Sequence, residues 1–424
     1  MYLEQLQLTN VKLLADQLLD FRGLDGKPRR WTVILGENGA GKSTILQSIA
    51  LLASGPLLAR SLLSDPSSLI NQKRAGEATM EASFSGDGRK SLEVGLRARH
   101  GNRLMQGYFA SEWVDEWRSE ERPDFLVVGY GVGRYLPEPG EVAVPTDLTV
   151  DRVEGLFRPQ HKLLGVDFYE ALRQLDNSGL HSQSHLARAY SKRIRQALLA
   201  TDETGEQLLP ALNTVELRGR QGVSRMAKLL ESRRFEVNHG GEVYRLPPSQ
   251  LSQGYQSTIA WICDLLGHAF LESKAEVDPK EAEGLVLLDE IDLHLHPQWQ
   301  RRLIPALAAT FPKLQFIVTT HSPLVVSGVD AESVIRLEMR DGAVRQANPD
   351  AEPGLADASA LLGALFDVPR AGRPLLIEKE REYLRLRVEE SGSRRLDELE
   401  QELLPYWQGE QRLEEPSRSE MSDE

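Results

Sequence analysis

The stretch Gly36-Glu37-Asn38-Gly39-Ala40-Gly41-Lys42-Ser43 decides how the rest of the chain is read. It fits the pattern G-x-x-x-x-G-K-S/T, and its flanks fit as well. Before it, Trp31-Thr32-Val33-Ile34-Leu35 is a short, β-branched apolar run that reads as a buried strand. After it, Ile45, Leu46, Ile49, Ala50 and Leu52 recur at helical spacing. Strand, glycine-rich loop, helix is the context in which the pattern carries meaning. A chance glycine turn is the plain alternative, and the flanks argue against it.

Glycines let successive backbone N–H groups curl around a phosphate, and the helix N-terminus adds its dipole. The pattern predicts a phosphate cradle formed by Gly36, Asn38, Gly39, Gly41, Lys42, Ser43 and Thr44. Lys42 would reach the β- and γ-phosphates, and the Ser43 hydroxyl would coordinate Mg²⁺. The expected ligands are a nucleoside triphosphate and Mg²⁺.

Such a loop needs acids opposite it. Leu285-Val286-Leu287-Leu288-Asp289-Glu290 is an apolar run that delivers two carboxylates at its end. Read as a Walker B strand, it places Asp289 on Mg²⁺ and Glu290 as the general base that orients and deprotonates the attacking water. Gln315-Phe316-Ile317-Val318-Thr319-Thr320 is a second apolar strand, one helix further on (residues 298–310), and it ends at His321-Ser322-Pro323. Parallel neighbouring strands would bring His321 to the carboxyl edge of the sheet, where ligands sit. His321 is thus a candidate γ-phosphate sensor.

Elsewhere the pattern is mixed. Residues 3–10 and 16–22 read as strands, 80–84 and 92–97 as a hairpin, and 125–128 as a buried strand. Ser54-Gly55-Pro56 is expected to break the helix after the P-loop. Residues from about 165 to 232 are mostly helical in pattern, followed by a second hairpin over 235–238 and 242–245. Apolar residues Ile259, Ile262, Cys263, Leu266 and Phe270 mark a helix after Leu251-Ser252-Gln253-Gly254-Tyr255. A hairpin over 333–337 and 343–345 is expected to close the sheet, and 375–388 and 396–404 read as charged helices.

These motifs, in this order, resemble the ABC-type ATPases of the SMC and RecF-like class. The resemblance rests on the P-loop, the Leu-Ser-x-Gly signature, Asp289-Glu290, Asp292-Leu293-His294-Leu295-His296-Pro297 and Thr320-His321-Ser322-Pro323. The Leu-Ser-Gln-Gly-Tyr variant and the Leu-His-Leu-His-Pro run resemble a prokaryotic subgroup that includes anti-phage ATPases of the Septu type, paired with a nuclease. The resemblance implies an α/β fold, an ABC-type head with a mixed central sheet, flanking helices and N-terminal antiparallel strands, plus a helical lid. It implies head segments at 1–135 and 249–374, a mostly helical insertion at 136–248 and a charged extension at 375–424. It also implies a homodimer, or a higher even oligomer, that sandwiches ATP. Ser252 and Gly254 of one protomer would then meet the γ-phosphate held by the other, and Asp292 would lie in the loop linking the two sites. Gln253 and Tyr255 replace the glycine and glutamine of the general class, which disfavours transport-type coupling. Tyr130-Gly131-Val132-Gly133-Arg134 stands where the glutamine loop is expected, with Arg134 a candidate for phosphate, subunit or salt-bridge contact.

Composition bounds the remaining possibilities. The chain has 424 residues and a formal net charge of −13, and its one cysteine, Cys263, supplies neither a disulfide framework nor a thiolate zinc site. No run of about 18 uninterrupted apolar residues predicts a membrane span. Met1-Tyr2-Leu3-Glu4-Gln5 lacks the pattern of a signal peptide, so the expected location is cytoplasmic, without a membrane partner. About half of the charge excess sits between Glu378 and Glu424, with 15 acidic and 8 basic residues. The middle runs the other way, with Arg188, Lys192, Arg193, Arg195, Arg218, Arg220, Arg225, Lys228, Arg233 and Arg234. Sustained heptads are absent, which excludes long coiled-coil arms.

Three functions are open at this point. One is an ATP-driven switch in anti-phage defence that controls a separate effector such as a nuclease. Another is a RecF-like clamp on DNA, which needs the basic middle stretch to form one surface. The last is a transporter subunit, disfavoured by the signature.

Overall fold

The computed structural model describes residues 1–86, 89–109, 112–114, 126–137, 145, 147–165, 168, 181–216, 234–340, 343–347, 353–355, 361–363, 365, 374–389, 395, 396 and 398–404. The chain divides into two compact units, Met1–Leu361 and Leu362–Glu424.

The P-loop strand, β3 (Trp31–Gly36), is buried along its length because both of its faces are apolar and covered. Its neighbours are β13 (Leu314–Thr319) on one side and β14 (Val334–Arg340) on the other, both parallel to it. Beyond β13 come β12 (Gly284–Leu288) and then β8 (Val127–Tyr130), again parallel. The carboxyl ends of all five strands therefore share one edge. Leu285, Val286, Leu287 and Leu288 are buried, each worth roughly 1.5–3 kcal/mol against exposure.

On the other side of β14, β15 (Ala343–Ala347) pairs antiparallel with it and then parallel with β2 (Leu14–Asp20). The antiparallel strands β1 (Tyr2–Val11), β4 (Ala78–Gly86), β5 (Arg89–Ala98), β6 (Gln106–Phe109) and β7 (Glu112–Val114) complete the sheet. Its twelve strands run in the order β7-β6-β5-β4-β1-β2-β15-β14-β3-β13-β12-β8. The hairpin β14–β15 thus joins the parallel and antiparallel parts instead of closing an edge, because β15 finds a second partner in β2.

The sheet curls on itself. Leu3 of β1 exchanges hydrogen bonds with the buried Gln315 side chain of β13, at 2.7 and 2.9 Å, although several strands separate them in sheet order. A third bond runs from Gln315 Nε2 to the Arg29 carbonyl at 3.1 Å, so the amide is fully used.

Helix α1 (Lys42–Leu62) lies in an extensive hydrophobic core. It is long and apolar enough to cross a membrane, yet 72% of its most apolar stretch is buried inside the protein. Ser54-Gly55-Pro56 bends it without ending it: Gly55 takes φ 78°, ψ 168°, and the helix resumes with Pro56, which needs no N–H bond there. Further helices are α2 (Leu148–Glu154), α3 (His181–Leu198), α4 (Gln253–Ser273), α5 (Pro297–Thr310) and the one-turn α6 (Pro323–Val326).

The expected hairpin at 235–245 forms as β10 (Arg234–His239) and β11 (Glu242–Leu246). It gains a third strand, β9 (Leu212–Glu216), inside the stretch read as helical. The reason is tertiary: β9 pairs antiparallel with β10 across a bulge and buries Leu212 and Val215. Residues 217–233, with half of the expected basic cluster, lie outside the described residues, as does Phe125.

In the second unit, α7 (Pro374–Glu389) carries Tyr383, which clusters with Leu399 and Leu403. Leu399 and Leu403 are buried in that cluster, whereas Leu384 is exposed. Tyr406, Trp407 and the acidic end lie outside the described residues.

Candidate nucleotide-binding site

The P-loop backbone is built for an anion. Gly39 and Gly41 take φ values of 84° and 86°, and a Cβ on Gly41 would meet Leu14 at 3.2 Å. Gly41 is the N-cap of α1 and has no side chain to satisfy the first amides. No acid occupies the first turn, and Lys42 sits at its first position, where a cation opposes the helix dipole. Every local device that normally stabilises a helix start is missing here. By contrast Asp147 caps α2, His296 caps α5 and Ser322 caps α6.

Lys42 is buried, and its ammonium donates to the carbonyls of Gly36 (2.7 Å) and Glu37 (3.0 Å). Burial lowers its pKa, while the carboxylates of Asp289, Glu290 and Asp292 act in the opposite direction. Asn38, Gly39 and Ser43 are exposed, and Thr44 turns inward.

The acids arrive as their strand predicts. The Ser43 hydroxyl donates to Asp289 Oδ2 at 2.7 Å, so P-loop and Walker B meet directly. Thr319, at the end of β13, donates to Asp289 Oδ1 at 2.5 Å and accepts the Glu290 amide at 2.8 Å. Thr320 donates to Asp292 and accepts the Ser322 amide at 2.9 Å. His321 follows on, exposed at the same edge. The two threonines were present in the sequence as strand-end hydroxyls, but only the parallel register of β12 and β13 gives them partners.

Arg134 turns to the main chain of the Walker B turn. It is buried, and its guanidinium donates to the carbonyls of Asp289 (2.9 Å) and Glu290 (2.7 Å). Burial pulls its pKa down to about 10, against the fields of Asp289, Asp292 and Glu290.

The signature residues form a second helix start. Ser252 is the exposed N-cap of α4, and its side chain makes no capping bond. Gly254 packs on the loop after Walker B: a Cβ there would lie 2.6 Å from the His294 carbonyl. The same helix carries a buried polar group further along. Asp264 accepts from Tyr130 Oη (2.9 Å) and from the Leu164 amide (2.6 Å), with His268 3.6 Å away. Burial raises Asp264 to about 7 and lowers His268 to about 3.

This sheet, with a P-loop and an acid-bearing strand meeting at one edge, is that of a P-loop ATPase head of the SMC type. The chain belongs to the family described as AAA domain, putative AbiEii toxin, Type IV TA system, whose model matches residues 31–327.

Among relatives, it is 28% identical to the Septu protein PtuA of Bacillus mycoides (strain KBAB4) over 338 residues, which cover 80% of this chain and 40% of that protein. It is 48% identical to the Retron Ec83 probable ATPase of Escherichia coli over 85 residues, 20% of this chain and 16% of that one. The matched regions thus span less than half the length of these relatives. Among solved structures, an Smc head bound to the C-winged helix domain of ScpA superimposes with a TM-score of 0.50 at 17% identity, covering 82% of this chain and 98% of that one. At that identity the likeness concerns the fold.

Proposed function

We propose that the protein binds and hydrolyses ATP with Mg²⁺ and works as a nucleotide-dependent dimer switch in anti-phage defence, controlling a separate effector such as a nuclease. The observation that carries the hydrolytic part is the direct meeting of Ser43 and Asp289, with Glu290 next in line. Hydroxyl and carboxylate are hard oxygen donors of the kind Mg²⁺ takes. When bound, the ion would be held by Ser43 and Asp289 and would neutralise charge on the phosphates. Lys42, the amides of Gly39 to Thr44 and the start of α1 bind and orient the triphosphate. Glu290 takes the proton of the attacking water, and His321 donates to the terminal phosphate.

The trans half of the site rests on Ser252. An uncapped helix start with an exposed hydroxyl suits a γ-phosphate presented by a second protomer. Shared ATP then favours the closed dimer, and hydrolysis removes the shared group. The defence role rests on relatedness to Septu and retron proteins. To test it, tagged Glu290→Gln is purified with ATP from a host carrying the neighbouring genes. A stoichiometric partner with nuclease activity supports the switch; recovery of the protein alone, ATP bound, counts against it.

One observation favours a DNA clamp as the second reading. His185, Arg188, Lys192 and Arg195 follow one face of α3 and line a cavity of about 560 Å³ together with Glu276. Arg193, on a different face, is tied to Glu276 at 2.7 Å and to Asp278. If this stripe contacts phosphates, DNA affinity falls linearly on a log–log salt plot, and Arg188→Glu with Lys192→Glu reduces the slope by about two. An unchanged slope removes this reading.

A further inference from the structure

We propose that Arg134 is a positioning residue for Glu290, acting through the main chain of the Walker B turn; this rests on reading Glu290 as the general base. Glu290 takes φ 48°, a left-handed conformation that an L-residue enters only at a cost. Something must hold it there. The N–H groups of the turn are tied by Tyr130 and Thr319: Asp289 N donates to the Tyr130 carbonyl at 2.8 Å, Glu290 N to Thr319 Oγ1 at 2.8 Å, and Ile291 N to the Thr319 carbonyl at 2.9 Å. Arg134 donates to the Asp289 carbonyl and gives the Glu290 carbonyl, which also accepts from Leu293 N at 3.0 Å, a second donor.

A planar guanidinium offers two N–H groups in a fixed fork, which matches two successive carbonyls; an ammonium does not. The arrangement is expensive, since Arg134 is 2% exposed and its Nε has no hydrogen-bond partner. A residue needed only to fill space would be apolar. The chain also delivers Arg134 along a fixed path. A Cβ on Gly131 would lie 2.3 Å from the Gly155 carbonyl oxygen, and one on Gly133 1.9 Å from that of Pro159. At the start of this path Tyr130 is bonded to Asp264 of α4, the helix that begins at the signature. Arg134 therefore sets where the Glu290 carboxylate points, from a strand end tied to the signature helix.

The test compares full-length wild type, Arg134→Lys and Glu290→Gln, each checked for folding by circular dichroism. For Arg134→Lys the expected result is a kcat at least about 30-fold lower, a KM for ATP within about threefold of wild type, and an unchanged ATP-loaded oligomeric mass. A role in folding alone would not separate kcat from KM in this way. Arg134→Gln, which removes the buried charge along with the fork, replaces it should lysine not fold. A folded Arg134 variant whose kcat stays within about threefold overturns the proposal, as does a loss that appears mainly in KM. Wild-type hydrolysis by Glu290→Gln would instead sink the general-base reading.

Discussion

At Lys42 burial and local charge pull in opposite directions. The ammonium is held by two loop carbonyls and faces three carboxylates, yet lies where a helix dipole repels it. A triphosphate resolves that conflict, so Lys42→Ala is expected to lose ATP affinity by more than about 100-fold while folding normally, as read by calorimetry. Binding within about tenfold of wild type would move the phosphate site elsewhere.

A second residue makes a pH prediction. The folded-state pKa of Asp264 is raised by burial to about 7, so the native state keeps a proton that the unfolded chain has already lost. That contribution is full below the ordinary carboxyl range and is lost as pH rises through about 7. The folded-state pKa of His268 is depressed to about 3, so its contribution runs the other way, present above the ordinary imidazole range and lost as pH falls. The two slopes largely offset each other in wild type. Asp264→Asn leaves the histidine slope alone, and its stability relative to wild type should improve from pH 4 to pH 7 by up to about 1.4 kcal/mol per unit. Urea titrations at several pH values measure this; a pH-independent difference would mean that Asp264 does not hold its proton.

At the level of elements, the carboxyl edge was legible because its parts are local. An apolar run followed by Asp289-Glu290, and a glycine loop between strand and helix, carry their meaning within a few residues. Thr319, Thr320 and Arg134 were not legible as Walker B supports. Their partners lie some 30 to 155 residues away and are fixed only by strand register. The strand β9 escaped for a similar reason, since its pairing with β10 outweighs local pattern. From sequence the Gly55 bend looks like an end, because a left-handed glycine and a proline mark both stops and kinks.

Gln315 shows what such register costs to miss. It looks like a polar interruption of an apolar strand, and it holds the curled sheet together through Leu3 and Arg29. Gln315→Leu leaves buried backbone groups of Leu3 and Arg29 without partners and should destabilise by about 2–5 kcal/mol. A loss below about 0.5 kcal/mol in chemical denaturation would show that the curl is held by packing alone.

On the scale of the whole molecule, the long helices α1, at the P-loop, and α4, at Ser252, both start without a side-chain cap bond. In the proposed assembly a triphosphate held at the start of α1 meets Ser252 of a second copy. The ATP-bridged dimer is a property of that assembly. Sedimentation equilibrium of Glu290→Gln, with and without Mg²⁺ and ATP, tests it most directly. The protomer or existing oligomer is expected to shift to a larger even-numbered mass on adding ATP, and a Ser252→Arg variant to bind ATP without the shift. An ATP-saturated protein whose mass does not change, or a Ser252→Arg protein that shifts as before, would contradict it.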